Sequence, residues 1–219
     1  MGCSLALPTP CLVLITDRKL CSDHAGLEAR VDEAAASGVT AVQVREKDLA
    51  AGELFVIAKK LKRVIAGRSI LIINDRLDVA MAVGADGVHL PSDGLSVADS
   101  RRVVGDEMLL GCSVHDAFEA TRAAEDGADY LQLGSIFPTR SHPRIKPSGP
   151  SLISQVVSQV SIPVLAVGGV DVSNAAEVRA AGASGAAVVA AIMAAPSARS
   201  STEELLSALD GAAHLCGGG

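Results

Sequence analysis

Short apolar runs recur along the chain with amphipathic segments between them. The runs are CLVLIT at 11–16, TAVQVR at 40–45, ILII at 70–73, DGVHL at 86–90, EMLLGC at 107–112, DYLQLG at 129–134, PVLAVGG at 163–169 and GAAVVAA at 185–191. Each has the length of a buried strand. The segments near 24–37, 50–66, 76–83, 96–104, 116–126, 150–159, 173–181 and 201–210 carry Ala, Leu and Val at helical spacing with polar residues between them. In ASGV, AVGADGV, EDGADY and RAAGASG a glycine stands where a helix needs its C-terminal cap, and an apolar run follows each time. The unit is β/α and it repeats eight times. Eight such units close into a single (β/α)8 TIM barrel; a doubly wound sheet of five or six strands, the alternative, leaves two units without a place.

Length and composition agree with this pattern. The 219 residues allow about 27 per unit, enough for a small barrel and no second domain. Aromatic residues are only 2% of the chain, with no Trp, one Tyr and three Phe, so Val, Ile, Leu and Ala must fill the core, as in parallel strands covered by Ala-rich helices. The barrel is expected over 11–212, with a flexible segment at 1–10 and a flexible Gly-rich tail at 213–219.

Charge and cysteine usage narrow the function classes. With 25 acidic against 19 basic residues, no dense basic run and almost no rings to stack on bases, a nucleic-acid partner is excluded, while a small anionic ligand in a locally basic pocket is not. The five cysteines show neither CxxC nor Cys/His metal spacing, which reads as reduced thiols in a cytoplasmic protein. The N-terminal apolar stretch lacks a basic segment before it and runs into a strand, so no signal peptide is read there; Gly2 has Ala6 where a myristoylation motif wants Ser or Thr. No run is long enough to span a membrane. A homodimer follows only from the general prevalence of symmetric pairs.

The chemistry should sit at the C-terminal ends of the strands. Gln43, Arg45 and Lys47 alternate there and share a side of the extended chain, an arrangement suited to a polyanion; two solvent-facing charges are the plain alternative. Asn74-Asp75 ends the third strand. Asp75 reads either as a magnesium ligand or as a helix N-cap, and Asp93 either as a second oxygen ligand or as a helix start. Ser113 can donate to a phosphate or substrate, and His115 either supports the site or caps a helix. Gly168-Gly169 after the seventh strand, with GAAVVAAI at the eighth, falls where this architecture commonly seats a phosphate. The longest interruption, 137–150, lies after the sixth strand and reads as a substrate loop.

These strand-top residues resemble the thiamine-phosphate synthase family, including its TenI-like relatives, across nearly the whole chain. The resemblance rests on Gln43-Val44-Arg45-Glu46-Lys47, Ile73-Asn74-Asp75, Ala85-Asp86-Gly87-Val88-His89-Leu90, Ser113 before His115, Gly127-Ala128-Asp129-Tyr130 and Phe137-Pro138-Thr139, in family order. It implies a synthase that joins hydroxymethylpyrimidine diphosphate to thiazole phosphate and releases pyrophosphate. Gln43, Arg45, Lys47 and Asn74 would embrace the diphosphate, Asp75 with Asp93 would hold Mg2+, and Ser113 would support the leaving group or pyrimidine. Thr139, Ser141, Gly168, Gly169 and Ala190 would meet the thiazole phosphate, and His142 stands where the family has a Lys that reaches pyrophosphate, with Lys146 farther along. The family's second magnesium carboxylate falls on Gly94, one residue after Asp93, and its small hydroxyl residue falls on Ala190. Leu90-Pro91-Ser92 and Ser113-Val114-His115 resemble the TenI-like branch, which implies a thiazole tautomerase, yet that branch's catalytic His falls on Ser135, leaving His142 or His89 as replacements. A thiazole-phosphate binder without catalysis is the third reading.

Overall fold

The computed structural model describes residues 7–21, 26–139 and 146–211. Among them, eight parallel strands close a barrel in sequence order: β1 Cys11–Ile15, β2 Ala41–Val44, β3 Ile70–Asn74, β4 Gly87–Leu90, β5 Leu109–Val114, β6 Tyr130–Leu133, β7 Val164–Val167 and β8 Gly185–Val188. Closure is made by β8 pairing with β1, Leu14 against Val188. The helices are α1 Gly26–Ala36, α2 Ala51–Ile65, α3 Leu77–Val83, α4 Val97–Val104, α5 Ala117–Glu125, α6 Pro150–Val157, α7 Ala175–Ala180, α8 Ala190–Met193 and α9 Ala198–Gly211. None of the described helices is long and apolar enough to cross a membrane.

The two-residue period of a strand sorts side chains into two cores. Leu12, Leu14, Val42, Val44, Leu71 and Ile73 point outward and pack with the helices, where α2 presents Leu54, Ala58, Leu61 and Ile65 at helical spacing. Cys11, Val13, Ile15, Ala41, Ile72, Leu109, Tyr130, Leu165 and Ala187 point inward and fill the barrel itself. Leu7 joins this inner cluster although it lies in the segment expected to be flexible; residues 1–6 and the tail at 213–219 lie outside the described residues. Each fully buried Leu stabilises the fold by roughly 2 kcal/mol. The one Tyr has room because Gly111 on the neighbouring strand has no side chain: a Cβ there would overlap the Tyr130 ring. Cys11 and Cys112 carry free thiols, and burial pushes them up to about 12 and about 11 respectively.

The eighth unit departs from expectation. The run GAAVVAA is strand only as far as Val188, after which Ala190–Met193 winds into the short α8 before the main helix α9. Ala190 thus begins a helix instead of ending a strand.

Candidate functional site

Toward the strand C-termini the inward positions turn polar and open into a cavity of about 590 Å3. Gln43, Asn74, His89, Ser113 and Gln132 line its floor; Arg45, Lys47, Asp93 and His115 stand at its mouth. The floor amides form a directed chain. Gln132 Nε2 donates to Gln43 Oε1 at 2.7 Å, and Gln43 Nε2 donates to Asn74 Oδ1 at 3.1 Å. All three side chains are buried, so each amide is held in one orientation and the Asn74 NH2 group is left to donate elsewhere.

Alternation beyond β2 separates the charges as the spacing predicts. Glu46 turns away from the cavity and is buried, accepting from the Thr16 hydroxyl at 2.8 Å, the Arg18 backbone N–H at 3.1 Å and the Arg18 guanidinium at 2.9 Å. The Arg45 N–H donates to Thr16 Oγ1 at 3.0 Å, tying the same turn to β1. Arg45 and Lys47 therefore face the cavity, and among the described residues neither is ion-paired, whereas Arg18 is held by Glu46 and Asp48. Two uncompensated cations beside amide and hydroxyl donors make an anion seat.

Asp75 lies beside this cavity instead of within it. It lines a second hollow of about 290 Å3 with Lys47, Asn74, Pro91, Asp93 and Gly94, and Lys47, Asn74, Pro91 and Asp93 line both spaces. The N-cap alternative is excluded, because Arg76 occupies that position of α3 and no side chain caps it. Asp75 has φ 68°, a left-handed conformation uncommon for residues other than glycine, and its N–H is anchored to the His89 carbonyl at 2.8 Å. A Cβ added at Gly94 would stand 3.2 Å from Asp75 Oδ1, so a side chain at 94 would enter the same hollow. Asp93 is exposed at its rim. Among the described residues no group of three His, Cys, Asp or Glu is gathered to hold a metal.

His89 connects the floor to the barrel core. Its Nε2 lies 2.8 Å from Ser113 Oγ and its Nδ1 lies 3.3 Å from the Tyr130 hydroxyl. Burial, reinforced by the Arg45 charge, pushes the imidazole down to about 3. The folded protein keeps this ring neutral where an unfolded histidine, titrating near about 6.5, takes up a proton. The associated stability is complete above about pH 6.5 and is lost as pH falls toward about 3, by about 5 kcal/mol over the full interval. Denaturant unfolding at pH 7 and pH 4.5 is expected to show wild type losing about 2 kcal/mol more than His89→Gln; equal losses would contradict this. His115 is exposed, and its backbone N–H and Nδ1 both meet Glu119 Oε2, at 2.8 Å and 3.1 Å. That is a helix-entry contact at the cavity rim.

The opposite wall is built from the ends of β6, β7 and β8. The Ile136 and Phe137 N–H groups donate to the carbonyls of Val167 and Gly168, and Ser148 and Gly149 donate back to Ser135 and Ile136, which roots both ends of the 137–150 loop. Gly168 and Gly169 have φ 90° and 67°, and a Cβ on Gly168 would stand 2.8 Å from Ser135 while one on Gly169 would overlap the Pro138 carbonyl. Close approach of the loop root therefore requires these glycines, whatever anion they also meet. Thr139, Gly168, Gly169 and Ala190 all line the cavity beside the start of α8, the arrangement in which this architecture frequently seats a phosphate. Ser141 and His142 lie outside the described residues, and Lys146 is exposed.

The family described as thiamine monophosphate synthase matches residues 12–192. The chain belongs to that family. The thiamine-phosphate synthase of Chloroflexus aurantiacus is 41% identical over 196 residues, 89% of this chain and 90% of its own. That of Ruminiclostridium cellulolyticum is 38% identical over 196 residues, 89% of this chain and 93% of its own. The solved thiamine phosphate pyrophosphorylase from Pyrococcus furiosus superimposes with a TM-score of 0.84 at 35% identity, covering 93% of this chain and 96% of that one. A 3-hexulose-6-phosphate synthase shares the fold alone, at 18% identity and a TM-score of 0.66. Within the thiamine monophosphate synthase family frame, residue-type reasoning missed Gln132, the Glu46 anchor and the Tyr130 contact to His89. A polar residue inside an apolar strand, in DYLQLG, was the available signal for Gln132.

Proposed function

We propose that the chain is a thiamine-phosphate synthase, condensing hydroxymethylpyrimidine diphosphate with thiazole phosphate. The observation that carries this reading is the pairing, across one cavity, of the Arg45 and Lys47 cations with the Gly168–Gly169 wall at the start of α8. Two anionic groups and two small rings need such a space. The bond from the pyrimidine methylene carbon to the diphosphate oxygen breaks, its electron pair leaves with pyrophosphate, and the thiazole nitrogen lone pair forms the new C–N bond. No proton has to be removed by the protein, so its task is to neutralise the leaving group and align the two rings. Arg45, Lys47, Asn74 and Ser113 hold the diphosphate, Gln43 bridges the floor, and Gly169 with Thr139 orients the thiazole phosphate.

Magnesium suits the oxygen donors beside that seat. Mg2+ takes one or two carboxylates and fills its shell with water and phosphate oxygens, which Asp75 and Asp93 around one hollow could satisfy. When bound it supplies further neutralisation of the leaving charge. Gly94→Asp should bring a carboxylate beside Asp75 and lower the Mg2+ concentration for half-maximal rate about tenfold; an unchanged requirement would separate position 94 from the metal. The added Cβ would meet the Pro91 ring at 3.0 Å, a contact that needs only a small shift.

The tautomerase reading requires a proton-transfer group at the thiazole. His89 is neutral with both ring nitrogens already hydrogen-bonded, Ser135 offers no basic nitrogen, and His142, the other candidate, lies outside the described residues. The test is incubation of purified protein with both synthase substrates and Mg2+, with thiamine phosphate and pyrophosphate as the expected products. Isomerisation of thiazole carboxylate phosphate without Mg2+, and no condensation where a control synthase turns over, would overturn the proposal.

A further inference from the structure

We propose that Tyr130 and His89 are positioning residues that compel Ser113 to act as a hydrogen-bond donor toward the leaving diphosphate. The inference rests on the synthase reading and deepens it. Tyr130 is fully buried, and among the described residues the only hydrogen-bond partner of its hydroxyl is Nδ1 of His89 at 3.3 Å. A hydroxyl proton shut in an apolar interior must go to the available acceptor, so Tyr130 donates to Nδ1. Nδ1 is then the lone-pair nitrogen, and the ring proton resides on Nε2. Nε2–H in turn donates to Ser113 Oγ, 2.8 Å away. With an oxygen lone pair committed to His89, the Ser113 proton turns into the cavity that Ser113 lines.

The opposite polarity has no outlet. If Ser113 donated to Nε2, Nδ1–H would point at the Tyr130 oxygen, and the Tyr130 proton would be buried without an acceptor. A doubly protonated ring is opposed by complete burial and by Arg45. The amide chain shows the same design: Gln132 to Gln43 to Asn74 also runs toward the cavity and also ends on a group with donors to spare. Both relays turn deeply buried polar groups into outward donors, as suits oxygens that gain negative charge when the C–O bond breaks. Tyr130, whose ring is packed over Gly111, touches no substrate itself; its effect passes through the imidazole.

The test is Tyr130→Phe, which removes one oxygen and keeps the ring that packs over Gly111. Imidazole nitrogen NMR of wild type is expected to show His89 as the Nε2–H tautomer, its signals assigned by their loss in His89→Gln, and Tyr130→Phe should shift or broaden them. In turnover, Tyr130→Phe should lower kcat about tenfold with KM within about twofold, because the donor matters most as charge develops. In a Ser113→Ala background the same substitution should cost nothing more. An Nδ1–H tautomer in wild type, or losses from Tyr130→Phe and Ser113→Ala that multiply, would overturn the inference. Absence of thiamine phosphate formation by wild type would instead overturn the synthase reading, and the imidazole spectrum alone would then decide the polarity of Ser113.

Discussion

Replacing Arg45 with alanine is expected to lower kcat for pyrophosphate release by about 10²–10³, the loss found when one preorganised group facing developing charge is removed. Arg45 leaves β2 one step beyond buried Val44 and faces the cavity because Glu46, its neighbour on the other side of the chain, is anchored by Thr16 and Arg18. Its guanidinium has no carboxylate partner among the described residues, so its charge is available to the ligand. Arg45→Lys should recover only part of the rate, since an ammonium keeps the charge but not the planar fork that grips two phosphate oxygens. Stability should hardly change, because no ion pair is broken. Steady-state pyrophosphate release with a parallel unfolding titration separates the two effects. A rate within about threefold of wild type, in a folded Arg45→Ala protein, would remove Arg45 from the diphosphate seat.

The second large effect falls on the barrel. Gly111→Ala is expected to destabilise the protein by about 3 kcal/mol or more, at the upper end for overpacking a core. The new Cβ would overlap the Tyr130 ring, which is fully buried between inward side chains and has nowhere to rotate. The ring or the β5–β6 pairing must give way. Because the Tyr130 hydroxyl also meets His89, a folded Gly111→Ala protein should lose turnover as well as stability. A denaturant midpoint equal to that of wild type would mean that the ring is less confined than its surroundings require.

Much of this is legible in the amino-acid sequence. Eight apolar runs separated by helical segments determine a closed parallel barrel, and the two-residue alternation of Gln43, Arg45 and Lys47 aims all three at one cavity, as they are found. Periodicity alone cannot end β8 at Val188, because a short apolar run reads equally as strand or buried helix, so the run GAAVVAA merges the short α8 with the strand. Composition also could not reveal that Asp75 turns into a side hollow; that follows from its left-handed backbone and its tie to His89. The meaning of Gly168 and Gly169 was only half visible. They line the cavity as expected, but the close approach of Ser135 and Pro138 is a packing demand made by residues more than thirty positions away. Gln132 and Tyr130 show the same limit, since a buried relay exists only after neighbouring strands bring its members together.

The central claim is that one cavity seats two phosphorylated molecules at opposite walls. A crystal structure of the protein with thiamine phosphate, pyrophosphate and Mg2+ tests it most directly. The account predicts pyrophosphate against Arg45, Lys47, Asn74 and Ser113, and the thiamine phosphate group against Gly168, Gly169 and Thr139, with the rings between them over Gln43. Pyrophosphate found away from Arg45 and Lys47, or a single anion seat serving both groups, would contradict it.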